Sequence, residues 1–132
     1  MSETISTGVI RTYHVQDETL IYEEYFILNN KKEGVYRSYH DNRQLFEEVN
    51  YINDKKNGIY KRYYQNGQLW YEVNYINDEI NGIHKLYYSN GQLYKEVNCI
   101  NDKMNGNEKS YHENGQLYEE VNYIDGKMNG KK

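Results

Sequence analysis

A chain of 132 residues has room for one domain, and with 37% hydrophobic residues, 17 tyrosines prominent among them, it lacks the material for a thick aliphatic interior. Alanine and proline are absent, a bias away from helix that also removes the residue most hostile to strand ladders. A formal charge of −4 with scattered Lys and Arg argues against partners that need phosphate neutralised, so no nucleic acid is expected and a membrane is disfavoured. The single cysteine, Cys99, cannot form an internal disulfide, and there is no N-x-[ST] acceptor or apolar N-terminal run. A cytoplasmic location is therefore expected. No stretch approaches the roughly 18 apolar residues that span a bilayer as a helix.

Residues 1–7 read as a short, mobile polar lead. Gly8, Arg11, Tyr13 and His14 then anticipate Gly34, Arg37, Tyr39 and His40, and Tyr22-Glu23-Glu24 anticipates Phe46-Glu47-Glu48, so a worn first copy carries about two extra residues in its Gln16–Thr19 turn. Gly34, Gly58, Gly82, Gly106 and Gly130 follow at a spacing of 24. The units are 8–33, 34–57, 58–81, 82–105 and 106–129, with a truncated sixth over 130–132. In each, two strand-like runs alternate with two turn-like ones; in the third these are GIYKRYY, QNGQ, LWYEVNYI and NDEIN.

Asn66-Gly67, Asn90-Gly91 and Asn114-Gly115 between aromatic and β-branched runs predict two-residue type I′ hairpins. That turn sets Gln65 against Gln68, Tyr64 against Leu69 and Lys61 against Glu72. The same register pairs Arg11 with Glu24, Arg37 with Glu48, Lys85 with Glu96 and Lys109 with Glu120. Such pairs specify alignment more than they stabilise, at about 0.2–1 kcal/mol each. Alternation puts Tyr60, Arg62, Tyr64, Leu69, Tyr71, Val73 and Tyr75 on one face, and Ile59, Lys61, Tyr63, Trp70, Glu72, Asn74 and Ile76 on the other. Both faces are mixed, which argues against a sandwich and for an all-β repeat protein: a single-layer, extended antiparallel β-meander of 24-residue hairpins in which aromatic ladders run from repeat to repeat. Gly58, Gly82 and Gly106, beside Tyr75, Cys99 and Tyr123, are expected to leave room for a ring over bare backbone.

The pattern G-x-Y-K-x-Y-Y-x-N-G-Q-L-x-x-E-V-N-Y-x-x-x-K-x-N-G resembles the MORN repeat, and more closely the variant of it in YwqK-type antitoxins and many giant-virus proteins. The resemblance spans residues 8 to 130. It implies an interaction module used in scaffolding, dimerisation or lipid association, with no catalytic residue in the repeat itself. Two places depart from it. Arg43 replaces the hairpin glycine, and a non-Gly residue held left-handed costs roughly 1–2 kcal/mol, so this turn is expected to open or change type. Asp54, Asp78 and Asp102 stand where the last unit has Gly126, and Asp tolerates that geometry, so those turns are expected to survive.

Little in the sequence points to bond-making chemistry. His14, His40 and His112 share a place with Tyr64 and Tyr88, and His84 takes the Tyr60 place, which marks sites for a flat amphipathic ring rather than metal ligands. Cys99 replaces Tyr51, Tyr75 and Tyr123 and reads as a small filler, with no charge pattern of a nucleophile. The N-D-K-x-N-G loops lack the graded carboxylates of calcium sites, and Glu48, Glu72, Glu96 and Glu120 each face a cation rather than each other. No catalytic, cofactor-binding or metal residue is expected, and no enzyme. Binding of a choline-like, sugar or single-stranded ligand on stacked rings is weakened by Trp70 being the only tryptophan.

The expected function is a non-enzymatic protein-interaction scaffold or oligomerisation module. The alternatives are an antitoxin-like regulator that neutralises a toxin, and a peripheral phospholipid tether. Candidate partner-binding residues are Tyr64, Trp70 and Tyr88 on the aromatic surface, and Leu117, Tyr118, Val121 and Tyr123 along an open edge at Leu117–Ile124. That edge is also where a homodimer would form, with Lys131 and Lys132 blunting it. The Asn-, Lys-, Tyr- and Ile-rich composition suggests an AT-rich genome, viral or bacterial, hence host cytoplasm or virion in the viral case.

Overall fold

The computed structural model describes residues 5–128, so the expectations about Gly130, Lys131 and Lys132 and about the first four residues lie outside the described residues. The chain runs through β1 (Gly8–His14), β2 (Asp17–Leu28), β3 (Lys31–Lys32), β4 (Gly34–Tyr39), β5 (Leu45–Ile52), β6 (Lys55–Lys56), β7 (Gly58–Tyr63), β8 (Leu69–Ile76), β9 (Glu79–Ile80), β10 (Gly82–Tyr87), β11 (Leu93–Ile100), β12 (Lys103–Met104), β13 (Gly106–Tyr111), β14 (Leu117–Ile124) and β15 (Lys127–Met128). All fifteen belong to one open antiparallel sheet in which each long strand pairs with the next. The all-β, single-sheet hairpin meander expected from the period is what the chain forms.

The two-residue type I′ turn expected at Asn-Gly is found instead at the other turn of each unit. Tyr64 donates its N–H to the Gln68 carbonyl (2.9 Å) and Gly67 donates to the Tyr64 carbonyl (2.9 Å), with φ positive at Gly67 but not at Asn66. This is a three-residue loop, a type I turn closed by a left-handed glycine, not the predicted two-residue type I′ turn. Asn66 is there for its side chain: Oδ1 accepts from the Gln68 N–H (2.9 Å) and Nδ2 donates to the Ser89 carbonyl of the next unit (3.1 Å). The predicted pairs Tyr64–Leu69 and Gln65–Gln68 are accordingly displaced. Tyr63 lies opposite Leu69 and Arg62 opposite Tyr71, leaving Trp70 as the extra residue of a β-bulge. Phe46, Tyr94 and Tyr118 are extra in the same way.

The type I′ turns sit at the other end of the unit, where both central residues of Asn53-Asp54, Asn77-Asp78 and Asn101-Asp102 have positive φ and two-residue strands follow. The aspartates survive there as expected, and they also link units. Asp78 accepts the Lys56 N–H on Oδ1 (2.7 Å) and donates its own N–H to the Lys56 carbonyl (2.9 Å); Asp54 and Asp102 do the same for Lys32 and Ile80. In the stretch the sequence places in the lead, the Ser6 carbonyl accepts the Asn30 N–H as the Lys56 carbonyl accepts that of Asp78, and Thr7 Oγ1 accepts the Asn29 N–H. Arg43 keeps the turn it was expected to disrupt, at φ 73° with the Arg43–His40 and His40–Gln44 bonds in place. Asn42 bonds to Gln44 and to the Gln65 carbonyl, as Asn66 does to Gln68 and the Ser89 carbonyl.

The glycine that opens each long hairpin is required by conformation, not by an overlying ring. Gly34, Gly58, Gly82 and Gly106 have φ between 88° and 113°, and an added Cβ would meet nothing within 4 Å at Gly34 and nothing nearer than 3.7 Å at Gly82. At Gly58 the chain is redirected: Asn57 bonds to Asn50, whereas Lys61 lies opposite Glu48, so Gly58, Ile59 and Tyr60 pass Val49 alone. Val49, and at the same place in later units Val73, Val97 and Val121, are buried, Val73 to 0% exposure. Tyr36, Tyr51, Tyr71, Tyr75 and Ile80 pack on Val49, Tyr60 and Val73, which makes one side of the sheet a valine face that serves as core without a second layer.

Candidate functional site: three surfaces of one sheet

On the valine face, tyrosines, carboxylates and cations interlock. Lys56 Nζ stands 4.9 and 5.0 Å from the centres of the Tyr60 and Tyr75 rings, and Lys32 stands 5.1–5.4 Å from those of Tyr25, Tyr36 and Tyr51. The Tyr36 and Tyr60 hydroxyls donate to Glu23 and Glu47. Burial first, and the carboxylate partner second, raise both phenol pKa values. Glu47 also accepts from Ser38 (3.0 Å) and lies 3.7 Å from Arg62. Its acceptor positions are taken up within the fold. Cys99, opposite Gly82 and Met104, is buried, which pushes its thiol pKa up and away from nucleophile behaviour. Among the described residues no three His, Cys, Asp or Glu side chains gather as a metal would need.

At the three-residue-loop end an aromatic column crosses the units. Its pairs are His14 with Tyr22, His40 with Phe46, Tyr64 with Trp70, Tyr88 with Tyr94 and His112 with Tyr118, with ring centroids 4.9–5.6 Å apart. Trp70, assigned by alternation to the face opposite Tyr64, is turned by the bulge onto the same side. Arg62 lies over both the Trp70 and the Tyr60 rings. The His-for-Tyr exchange has a shared bond behind it: Tyr64 and Tyr88 donate from Oη to the Tyr87 and Tyr111 carbonyls (2.6 and 2.7 Å), and His40 Nε2 reaches the Tyr63 carbonyl (2.8 Å).

Of the residues expected to bind a partner, Tyr64, Trp70, Tyr88 and Tyr118 meet in this column. Leu117 and Tyr118 are well exposed, at 53% and 64%. Val121 is buried, and Tyr123 lies between Gly106 and Met128. The open edge expected along Leu117–Ile124 is therefore open only ahead of Tyr123, because β15 already pairs with Tyr123 and Ile124.

The face opposite the valines holds what the sequence reading missed. Val9, Val35, Ile59 and Ile83 form one row, and Leu28, Ile52, Ile76, Ile100 and Ile124 another, all 44–55% exposed. Beside them runs an alternating charge row. The five predicted pairs are in register, and the units are joined by Glu24–Arg37, Glu48–Lys61, Glu72–Lys85 and Glu96–Lys109. Arg11–Glu24 and Arg37–Glu48 close to 2.7 and 2.8 Å.

The MORN repeat variant family model matches four times, at residues 32–53, 56–77, 80–101 and 104–125. No curated protein is similar enough to match. Repeats of this kind commonly mediate protein or membrane interactions. Each matched copy starts at the second residue of a two-residue strand and ends at the first residue of a type I′ turn, and together they cover well over half of the chain; the chain belongs to the MORN repeat variant family.

Proposed function

We propose that the chain is a non-enzymatic protein-interaction module that meets its partner face-on, through the aliphatic rows of the charged face. The observation that carries this reading is the alignment of those rows: half-exposed Val, Leu and Ile recur in successive units on a face that no second layer covers among the described residues. Ordered apolar surface on that scale marks an interaction site. The charge row beside it alternates in sign, so it supplies a polar rim without demanding a charged partner. The test is capture from native lysate by the full chain and two double variants. Ile59→Lys with Ile76→Lys should abolish capture while keeping a strand-type circular dichroism spectrum, and Leu117→Lys with Tyr118→Lys should keep it. The reverse result would move binding to the terminal edge and defeat the face-on reading. A toxin as the captured protein would specify an antitoxin role.

A further inference from the structure

The valine face is not filled evenly. In the units that open at Gly34 and Gly58, the places opposite those glycines hold Tyr51 and Tyr75, each covered by a lysine ammonium. In the unit that opens at Gly82 the same place holds Cys99, His84 replaces Tyr60, and Ile80 replaces the lysine. The next unit restores the ring as Tyr123, again opposite its glycine. Register and glycine are unchanged across all four, so the backbone at Cys99 is built as it is where it carries a phenol ring, and the ring is missing.

What remains is a cavity of about 330 Å³ bordered by Val97, Cys99, Met104 and His84, a size that suits a small ligand. Two features make it more than a void. Lys95 and Glu108 border it as an ion pair at 3.8 Å, with the Glu108 side chain only 14% exposed. The Nε2 atom of His84 is buried without a hydrogen-bond partner. Elsewhere on this face a part-buried glutamate is what accepts a tyrosine hydroxyl, as Glu23 does from Tyr36 and Glu47 from Tyr60.

We propose that the cavity over Cys99 binds a phenol ring, its plane on Val97 and Cys99 and its hydroxyl donating to Glu108. A free small phenol and the tyrosine side chain of another polypeptide share this chemistry. The site is independent of the aliphatic rows, which lie on the opposite face.

The test is an amide chemical-shift titration of the full chain with p-cresol. One saturable site is expected, with Kd on the order of 0.1–1 mM for a ligand this small. Toluene, which lacks the hydroxyl, should bind roughly tenfold more weakly. Because Cys99 is the single cysteine, p-cresol should also slow its alkylation severalfold. Cys99→Tyr, which restores the repeat's own ring, should remove p-cresol binding while keeping the strand spectrum. If that variant does not fold, the alkylation protection of the wild type decides alone. N-acetyltyrosinamide binding at least as tightly as p-cresol supports the site with a polypeptide tyrosine as source, and p-cresol binding alone supports it with a free phenol. Absence of saturation or of protection in the wild type, or undiminished p-cresol binding by folded Cys99→Tyr, overturns the proposal.

Discussion

The hairpin that opens at Gly58 and the one that opens at Gly82 share a backbone and differ in what lies on it. Both pair their first five residues in the same register and bulge at the sixth, and their loops close with Gly67–Tyr64 and Gly91–Tyr88 bonds of 2.9 and 3.0 Å. Yet the first buries Tyr60 and Val73 under Tyr71 and Tyr75, while the second has His84, Lys95 and Cys99 around a cavity. Turns, opening glycines and inter-unit caps therefore set the shape, and the rings supply burial. The two tasks are separable, so one unit can lose its rings and keep its form.

The contrast can be broken or sharpened by substitution. Tyr60→Ala should cost about 3–5 kcal/mol, as for a buried aromatic, and His84→Ala less than about 1.5 kcal/mol; equal shifts of the urea midpoint would erase the distinction between the two units. Asp78→Ala and Asp102→Ala should each cost about 1 kcal/mol, because their bonds to Lys56 and Ile80 match at 2.7 Å. A much smaller loss for Asp102→Ala would show that the turn layer also weakens with the core. Arg43→Gly should stabilise the fold by up to about 1 kcal/mol as left-handed strain is relieved, read as a rise in the thermal midpoint, and a fall would mean that the Arg43 side chain contributes more than its backbone costs.

The smallest effect concerns pH. Burial, and secondarily Lys95, hold the His84 imidazole below its ordinary pKa, so the unfolded chain binds the proton more tightly than the folded one. Stability from this group is present above the unfolded value near 6.5 and is lost as pH falls from there toward the lower folded value. The wild-type urea midpoint should drop more steeply below about pH 7 than that of His84→Tyr, and parallel curves would remove the histidine from the account.

The period, the two long strands per unit and the cross-strand charge pairs were legible because each is stated several times over in the sequence. The turns were not, because Asn-Gly serves both a two-residue and a three-residue loop, and the difference resides in an extra residue four positions after the Asn. That residue is aromatic in every unit, as Tyr22, Phe46, Trp70, Tyr94 and Tyr118, and this was the available signal for the bulge. Reading Asn-Gly as type I′ puts Trp70 on the face opposite Tyr64, so the aromatic surface is expected but the Tyr64–Trp70 pairing within it is not. The aliphatic rows escaped for a different reason: along any one strand Ile59 alternates onto the same face as Lys61, so the face looks mixed, and only lining up the strands separates the apolar rows from the charged one. The edge is less open than expected because Lys127 and Met128, which the period assigns to the closing turn of the fifth unit, pair with β14.

The alternating charge row has a consequence for how such a chain changes in length. Every complete unit contributes one cation and one anion to the row, so duplicating or deleting a whole unit leaves the alternation, and the net charge of the row, as they were. An unequal exchange that added or removed a single strand would bring two like charges side by side, which is unfavourable in a sheet. Gene rearrangements that respect the 24-residue frame are thus tolerated electrostatically and those that break it are penalised, giving the row a part in keeping the copies whole as well as in aligning them.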